Sequence, residues 1–452
     1  MILLAVQPTL SHLNTLFSEA ITKAFPELED EPNPLIQNAN KQTKADYQSN
    51  AALPLSKKLS LSPHAIASQI IEHLPENPIF EPCELSGPGF INIILKQTFA
   101  EARLNEIHQS PHLGISQTQN PMTIVVDYGS PNVAKSMHVG HLRSTVIGDS
   151  VVRLLKSKGH TVIRQNHVGD WGTQFGMLIE HIIAETISID SLRDITALNQ
   201  LYQTAKRRFD EDKSFAGAAK KRVVALQGGD KETLAIWQTL VNKSLTHFQS
   251  IYDQLGVCLK TEDVRGESAY NDDLPKIIAD LKQRKLLQES QMAQVLYLDG
   301  FVDKDKQPLP MLLQKADGGY LYATTDMATA KYRCEILHAE RIIYVVDCRQ
   351  KQHFDMLFSA LRLAGYVNES TRLDFLPFGT ILGANRKPFK TREGKTIALE
   401  DLINEAISRA TALYQDKNPE ALPEDARAIA QTIAIGAIKY ADLSNEIGRA
   451  HV

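Results

Sequence analysis

The sequence predicts an α/β protein whose main domain is a doubly wound parallel sheet interrupted by a long insertion. Short β-branched runs alternate with helical patterns in two separate blocks, residues 122–180 and 340–385. Strands that alternate with helices are typical of a parallel sheet. The stretch between the blocks, about 185–315, is first helical and charged and then mixes a helix with short strands, which indicates an insertion.

The other elements follow from local patterns along the chain. Helical patterns and a strand after the turn Ser86-Gly-Pro-Gly89 predict a small α/β domain at the start. A polar stretch then indicates a linker, and the pattern is helical again after the second block. We expect these segments: an α/β domain at 1–110, a linker at 111–121, the main domain at 122–395, the start of an all-α domain at 396–445, and a non-native tail at 446–452.

Composition excludes several classes of protein. The 452 residues exceed what one core usually holds, and 43% hydrophobic with 23% charged residues is ordinary for a globular protein. A net charge of −4 gives no global basic field for nucleic acid. Four cysteines without a paired spacing argue against a disulfide framework and a structural zinc, and they predict a cytoplasmic protein. No apolar run reaches membrane-spanning length.

The strongest local signal is Ser130-Pro-Asn-Val-Ala-Lys-Ser-Met-His-Val-Gly-His-Leu-Arg-Ser-Thr145, between a strand at 123–127 and a helix predicted at about 142–156. His138 and His141 stand where that helix begins, and free N–H groups and the helix dipole attract anions there. The turn therefore suits a nucleoside triphosphate, and Gly140 would leave room for its purine or ribose. The His-Val-Gly-His tetrad alone is weak, because incidental histidines at a helix start look the same.

Two further segments are candidate binding elements. Asn166-His-Val-Gly-Asp-Trp-Gly-Thr-Gln-Phe-Gly176 contains three glycines, and such a loop is costly to order unless its backbone approaches a ligand. Asp317-Gly-Gly-Tyr-Leu-Tyr-Ala-Thr-Thr-Asp326 reads as a hairpin turn followed by a helix start. Asp326 is either a ligand-binding carboxylate or the N-cap of that helix, and the sequence does not decide between them.

A basic segment follows the last predicted strand. It carries Arg386, Lys387, Lys390, Arg392 and Lys395, which suit closure over phosphates, although a solvated charged loop is the commoner case. Its Gly-Lys-Thr ending imitates a phosphate-binding P-loop. Position 389, where that motif requires glycine, holds phenylalanine, so the P-loop interpretation fails.

Together these motifs resemble those of arginyl-tRNA synthetases, a family of class I aminoacyl-tRNA synthetases. The matching runs are those at 130–145, 166–176, 318–326 and 347–353, and Ser86-Gly-Pro-Gly-Phe-Ile-Asn92 resembles the end of the family's extra N-terminal domain. The resemblance covers nearly the whole chain. It implies a Rossmann-like class I catalytic domain, a tRNA-contacting N-terminal domain and an all-α anticodon-binding domain.

The chain departs from the family in two places. The second class I signature, Lys-Met-Ser-Lys-Ser, is replaced by Lys387-Pro-Phe-Lys-Thr-Arg392, and the resemblance implies that Lys135 takes over part of the missing lysine's work. The family also continues into a longer helical domain. We therefore expect a truncated fragment that is impaired or inactive.

The resemblance implies ATP-dependent activation of L-arginine to arginyl-adenylate and transfer of the arginyl group to tRNA(Arg). His138, His141, Lys135 and Lys390 would be catalytic. Gly140, Lys387 and Arg392 would join His138, His141 and Lys390 at ATP. The residues implied to bind arginine are Asp127, Ser130, Asn132, Tyr322, Asp326 and Gln350. Mg²⁺ would arrive with ATP, so no protein metal ligands are expected, and the protein would be a monomer without a membrane partner.

Two other function classes remain open at this stage. One is a different nucleotidyltransferase with the same histidine signature, or a class I synthetase for another amino acid. The other is a non-catalytic RNA-binding protein. The run at 166–176 and the long insertion argue against the first, and the full set of site residues argues against the second.

Overall fold

The computed structural model describes residues 8–40, 43–189, 192, 195–379, 398–420 and 422–444. The chain forms two compact units, Met1–Gln119 and Asn120–Val452. The first unit contains, in chain order, α1 (Thr9–Ala24), β1 (Ile36–Asn38), β2 (Tyr47–Ser49), α2 (Ala52–Leu59), α3 (Pro63–Glu72), β3 (Glu84–Ser86), β4 (Phe90–Ile93) and α4 (Gln97–Gln109).

The first unit is built on a small antiparallel sheet of order β1-β2-β4-β3. Its core joins α1, α3 and β4 through fully buried side chains such as Phe17, Ile66 and Ile91. Ser62 caps α3 with its hydroxyl oxygen, which accepts from the backbone N–H of Ala65. The unit therefore has a hydrophobic core of its own.

The second unit carries the predicted main domain. Its elements are β5 (Thr123–Asp127), α5 (Val139–Ser157), β6 (Thr161–Gln165), α6 (Thr173–Ala184), α7 (Ile195–Glu211), α8 (Lys213–Gln227), α9 (Lys231–Leu255), α10 (Leu274–Gln283), β7 (Gln288–Ser290), β8 (Ala293–Val302), β9 (Pro308–Gln314), α11 (Tyr322–Glu335), β10 (Arg341–Asp347), α12 (Lys351–Leu363), β11 (Arg372–Phe378), α13 (Leu399–Lys417) and α14 (Pro423–Leu443).

The central sheet of this unit is parallel, with strand order β11-β10-β5-β6. Successive residues of β5 face opposite sides, as the two-residue period of a strand requires. Ile124 and Val126 belong to the core that contains α5, whereas Val125 belongs to the core that contains α11 and α12. Helices thus cover both faces, and the predicted doubly wound sheet is confirmed.

The strand order reverses direction at β5. The chain moves from β5 to β6 on one side and later returns to place β10 on the other side. In open α/β sheets, ligands bind at the carboxyl ends of the strands at such a switch point. The residues that follow β5 and β10 are therefore placed to form a site.

The predicted insertion is present between α6 and α11. It consists of three helices, α7 to α9, then α10 and a separate antiparallel sheet of order β7-β8-β9. Within the described residues, no helix is long and apolar enough to cross a membrane. The last two helices, α13 and α14, contribute Ile403 and Ile435 to the core that contains α5.

Candidate active site

The histidine turn is an N-terminal cap built from imidazoles. Helix α5 begins at Val139, three residues earlier than its apolar pattern predicted, because His138 is the N-cap. His138 Nδ1 accepts from the Gly140 N–H at 3.1 Å, and His141 Nδ1 accepts from the His138 N–H at 3.0 Å. The two rings stack with centroids 3.9 Å apart. The prediction that both histidines stand at the helix start is confirmed.

This geometry fixes the tautomer of both rings. A nitrogen that accepts a hydrogen bond carries no proton, so each neutral imidazole holds its proton on Nε2. The pKa of His141 is lowered to about 3, first by burial and then by its neighbour His138. The pKa of His138 is also lowered, by burial and by the charges of Arg349 and Lys135. Both side chains are thus neutral Nε2–H donors at neutral pH.

Gly140 has a role in the cap itself. A Cβ atom at this position would lie 2.9 Å from Cε1 of His138. A side chain here would displace the imidazole that caps α5, so the cap requires glycine whether or not a nucleotide approaches. The predicted contact between Gly140 and ATP stays a prediction.

Asp127 is the last residue of β5, and Ser130 and Asn132 lie in the turn between β5 and α5. Ser130 has a φ of 46°, and its hydroxyl donates to Asp127 Oδ1 at 3.0 Å. The side chain of Asn132 is exposed. The Ser130 N–H donates to Asn166 Oδ1 at 2.9 Å, which ties this turn to the glycine-rich run.

Asp127 is also half of a buried ion pair. Its Oδ2 accepts from Arg333 Nη2 at 2.6 Å, and the Arg333 side chain is fully buried. Arg333 lies on α11, the helix that carries Tyr322 and Asp326. Removing one member of a buried pair leaves an uncompensated charge. The pair therefore fixes the end of β5 against α11, and both of these elements carry predicted arginine ligands.

The glycine-rich run lies between two other segments, the turn that follows β5 and the segment that contains Glu267. The Val133 N–H donates to the Gly169 carbonyl, and the Glu267 N–H donates to the Val168 carbonyl, each at 3.1 Å. A Cβ on Gly169 would lie 2.2 Å from Asn132 Oδ1, and a Cβ on Gly176 would lie 2.3 Å from the Ala219 carbonyl. The small size of these two glycines is therefore used by contacts within the protein, and the expectation that the backbone of this loop approaches a ligand stays a prediction.

Asp326 does not cap its helix. Helix α11 begins at Tyr322 with Leu321 as the N-cap, so Asp326 lies in the second turn and the capping interpretation is wrong. Its Oδ2 lies 2.7 Å from His353 Nε2. The Tyr322 ring meets the His353 ring edge-on, with centroids 4.9 Å apart. The predicted pocket residues on α11 thus converge on His353, which the sequence did not single out.

Glu267 is a second carboxyl group that the sequence analysis missed. It opens the 3₁₀ turn Glu267–Tyr270 in the insertion. Burial, followed by the nearby charges of Asp326 and Asp170, raises its pKa to about 8. A buried carboxyl group whose pKa is raised by neighbouring carboxylates suits a cation, which would relieve their repulsion. The Arg-Gly-Glu-Ser stretch has no periodicity or spacing that could have revealed it.

Of the remaining predicted residues, Lys135 and Gln350 follow strands of the central sheet, and the others lie outside the described residues. Lys135 places its ammonium 4.4 Å from the centroid of the Tyr202 ring. Gln350 is exposed at the start of α12, just beyond the end of β10. Lys387, Lys390 and Arg392 lie outside the described residues. Across the described part of the chain, no group of three or more histidine, cysteine, aspartate or glutamate residues could hold a metal ion.

Family models match most of the chain. The model described as tRNA synthetases class I (R), catalytic domain, matches residues 104–449. The model described as arginyl tRNA synthetase N terminal domain matches residues 11–95.

Individual relatives agree with the family models. The arginine–tRNA ligase of Alcanivorax borkumensis is 47% identical over 438 residues, which cover 96% of this chain and 74% of that protein. The Klebsiella pneumoniae enzyme of the same name is 46% identical over 432 residues, covering 96% and 74%. The crystal structure of arginyl-tRNA synthetase from Plasmodium falciparum superposes with a TM-score of 0.76 at 30% identity, covering 98% of this chain and 76% of that one.

A more distant structure shares the fold. The Thermus thermophilus arginyl-tRNA synthetase superposes with a TM-score of 0.70 at 22% identity, covering 96% of this chain and 76% of that one. The family models, the relatives and the geometry of the strand ends agree, and the chain belongs to the arginyl-tRNA synthetase family.

Proposed function

We propose that this protein uses ATP to activate L-arginine as arginyl-adenylate and then transfers the arginyl group to tRNA. The observation that carries the proposal is the pairing of two kinds of site at one sheet edge. Neutral histidine donors follow β5, and a cluster of carboxyl groups lies on α11 and the segment beside it. The first kind suits phosphate oxygens and the second suits a guanidinium group. The family membership points to the same reaction.

The first step needs no protein nucleophile. The arginine carboxylate is ionised at neutral pH and attacks the α-phosphorus of ATP, and the bond to pyrophosphate breaks. The protein contributes alignment and stabilisation of the charge that develops on the phosphate oxygens. His138 and His141 present Nε2–H donors for this purpose. Lys135 and, by resemblance, Lys387, Lys390 and Arg392 would neutralise phosphate charge, and Gly140 would line the nucleotide.

Arginine recognition is assigned to the carboxyl cluster. A guanidinium group offers paired donors that fit carboxylates, which an ammonium group cannot match. Asp326 would accept these donors while His353 orients it from the other side. Glu267 would become ionised once the guanidinium arrives, and Tyr322 and Gln350 would complete the pocket. Asp127 and Asn132 would hold the α-amino end, and the Ser130 hydroxyl would lie beside them through its hydrogen bond to Asp127.

Several finer points belong to the same proposal. Mg²⁺ would enter with ATP, because an octahedral ion that keeps its waters needs few protein ligands. The arginyl group would pass to the 2′-hydroxyl of the terminal adenosine of tRNA(Arg). We also propose that the protein acts as a monomer in the cytoplasm.

Amino-acid-dependent exchange of pyrophosphate into ATP tests the proposal. Purified protein is assayed with arginine, lysine or citrulline, each with and without tRNA. Of the three amino acids, only arginine should support exchange, because lysine lacks the planar donors and citrulline lacks the charge. Exchange driven equally by lysine, or by an unrelated amino acid, would contradict the assignment.

A further inference from the structure

Arg143 occupies an unusual position in the histidine helix. It lies two residues after His141, and its side chain is about nine-tenths buried. Its Nε donates to Asp442 Oδ1 at 2.7 Å, and its Nη1 donates to the Gly379 carbonyl at 2.6 Å. The guanidinium also lies over the Phe378 ring at 5.8 Å. One side chain thus joins the start of α5, the end of β11 and the end of α14.

The partner carboxylate comes from the far end of the chain. Asp442 is in the last turn of α14, and 299 residues separate it from Arg143. It is buried, and its second oxygen has no hydrogen-bond partner among the described residues. Buried carboxylates are costly unless their pairing is maintained. The Arg143 guanidinium is the counter-charge of the Asp442 carboxylate, so loss of Asp442 would leave that guanidinium buried without its partner.

A second connection ties the same helix start to α13. The Leu399 N–H donates to the Met137 carbonyl at 2.8 Å, and Ala398 pairs with His138 as an antiparallel bridge. Helices α13 and α14 pack on each other and both contact α5. The helix pair therefore contacts the start of α5 at two points, one at the beginning of α13 and one in the last turn of α14.

We propose that Asp442 is a positioning residue for adenylate formation, which acts through Arg143 to fix the histidine turn against the end of β11. The inference rests on the proposed function, because the histidines matter only if they face ATP. Without Asp442, Arg143 would leave Gly379, and the start of α5 would lose its alignment with the carboxyl edge of the sheet. The arginine pocket on α11 makes none of these contacts and would remain intact.

The test measures binding of a stable sulfamoyl analogue of arginyl-adenylate and of arginine alone, by calorimetry on the full chain. Asp442→Ala should weaken analogue binding about tenfold, the size expected for coupling through a packed network, while arginine affinity stays within twofold of wild type. Arg143→Met should give the same loss, and the double variant should lose no more than either single one. Lys439→Met is the matched control, since Lys439 projects from α14 to the Gly256 carbonyl instead.

The outcomes separate positioning from a merely structural role. Loss of folded protein lowers the fitted number of binding sites, whereas misalignment lowers the affinity at full stoichiometry. Unchanged analogue affinity in Asp442→Ala, or an equal loss for analogue and arginine, would overturn the inference. If that variant does not fold, Asp442→Asn retains an acceptor for Nε and should lose about threefold, and wild-type affinity there would overturn the inference too. A wild-type chain that binds neither compound would refute the proposed function itself.

Discussion

At the residue scale, the role of each histidine depends on which of its ring nitrogens caps helix α5. Nδ1 of both rings accepts a backbone N–H, so only Nε2 can face a ligand. Capping and donation to phosphate can therefore be separated by substitution. The oxygen of asparagine takes the place of Nδ1, and the amide nitrogen of glutamine approximates Nε2.

We expect His138→Asn to preserve the fold and slow arginine activation, because it keeps the cap and loses the donor. The loss should approach that of His138→Ala, about 2.7–4 kcal/mol for one transition-state hydrogen bond. His138→Gln should retain more activity and less thermal stability. Pyrophosphate exchange and thermal unfolding measure the two effects. Equal activity of wild type and the asparagine variant would remove the imidazole from the mechanism.

Asp326→Asn should weaken arginine binding roughly ten- to a hundredfold with little effect on ATP binding. The substitution removes the charge that meets the guanidinium, and charge-assisted hydrogen bonds contribute roughly 1.5–3 kcal/mol. Its helix should be unaffected, since Leu321 and not Asp326 is the N-cap. Calorimetric titration with each ligand measures this. Asp305→Asn, on the exposed β8–β9 turn, is the charge-matched control, and a similar loss there would contradict a specific role.

Glu267 predicts a pH dependence of arginine binding. Its pKa is about 8 in the folded protein against an ordinary 4.5, so between these values the folded state holds a proton that the unfolded state has released. Its contribution to stability therefore falls as pH rises through this window. Arginine needs the ionised form and should displace the proton, so affinity should rise from pH 6 to 8 and then level off. Glu267→Gln should flatten that rise, and an unchanged profile would exclude Glu267 from the pocket.

At the element scale, the boundaries of strands, turns and helices could be predicted from the sequence, whereas side-chain pairs between distant positions could not. The strand, turn and helix around His138 are specified by neighbours within a few residues. The pairs Asp127–Arg333 and Asp326–His353 join positions 206 and 27 residues apart, and no local pattern announces them. The sequence shows the glycines of the 166–176 run, but their neighbours Asn132 and Ala219 are known only from the packing of the segments.

The close approach of Gly169 to Asn132 gives a prediction for this three-segment arrangement. Gly169→Ala would place a Cβ 2.2 Å from Asn132 Oδ1, and the exposed amide would have to turn away. We expect weaker arginine binding and a decrease of at most about 3 kcal/mol in the free energy of unfolding. In an Asn132→Ala background the same substitution should add little. Gly217→Ala, a helical position with open space around it, is the control and should be neutral or stabilising.

At the scale of the whole molecule, the hydrophobic clusters divide along the boundary between the two units. Every buried residue of the first cluster lies between Leu13 and Ile93, whereas the two clusters of the second unit begin at Ile124 and Val125. The candidate site residues, from Asp127 onward, all belong to the second unit. Each unit therefore has its own hydrophobic core, and the residues proposed to bind small molecules lie in the second unit.

This division predicts that each unit folds alone and that only the second binds the substrates of activation. Residues 1–119 should show one cooperative thermal transition, because their core is self-contained, although a domain of this size has modest stability. Residues 120–452 should bind the sulfamoyl analogue of arginyl-adenylate within about threefold of the full chain, because every candidate site residue belongs to this unit. Circular dichroism and calorimetry on the two fragments and the intact chain provide the measurement. A first unit that stays unfolded in isolation would contradict its independent folding, and a second unit that folds but loses the analogue would show that the site depends on residues before Asn120.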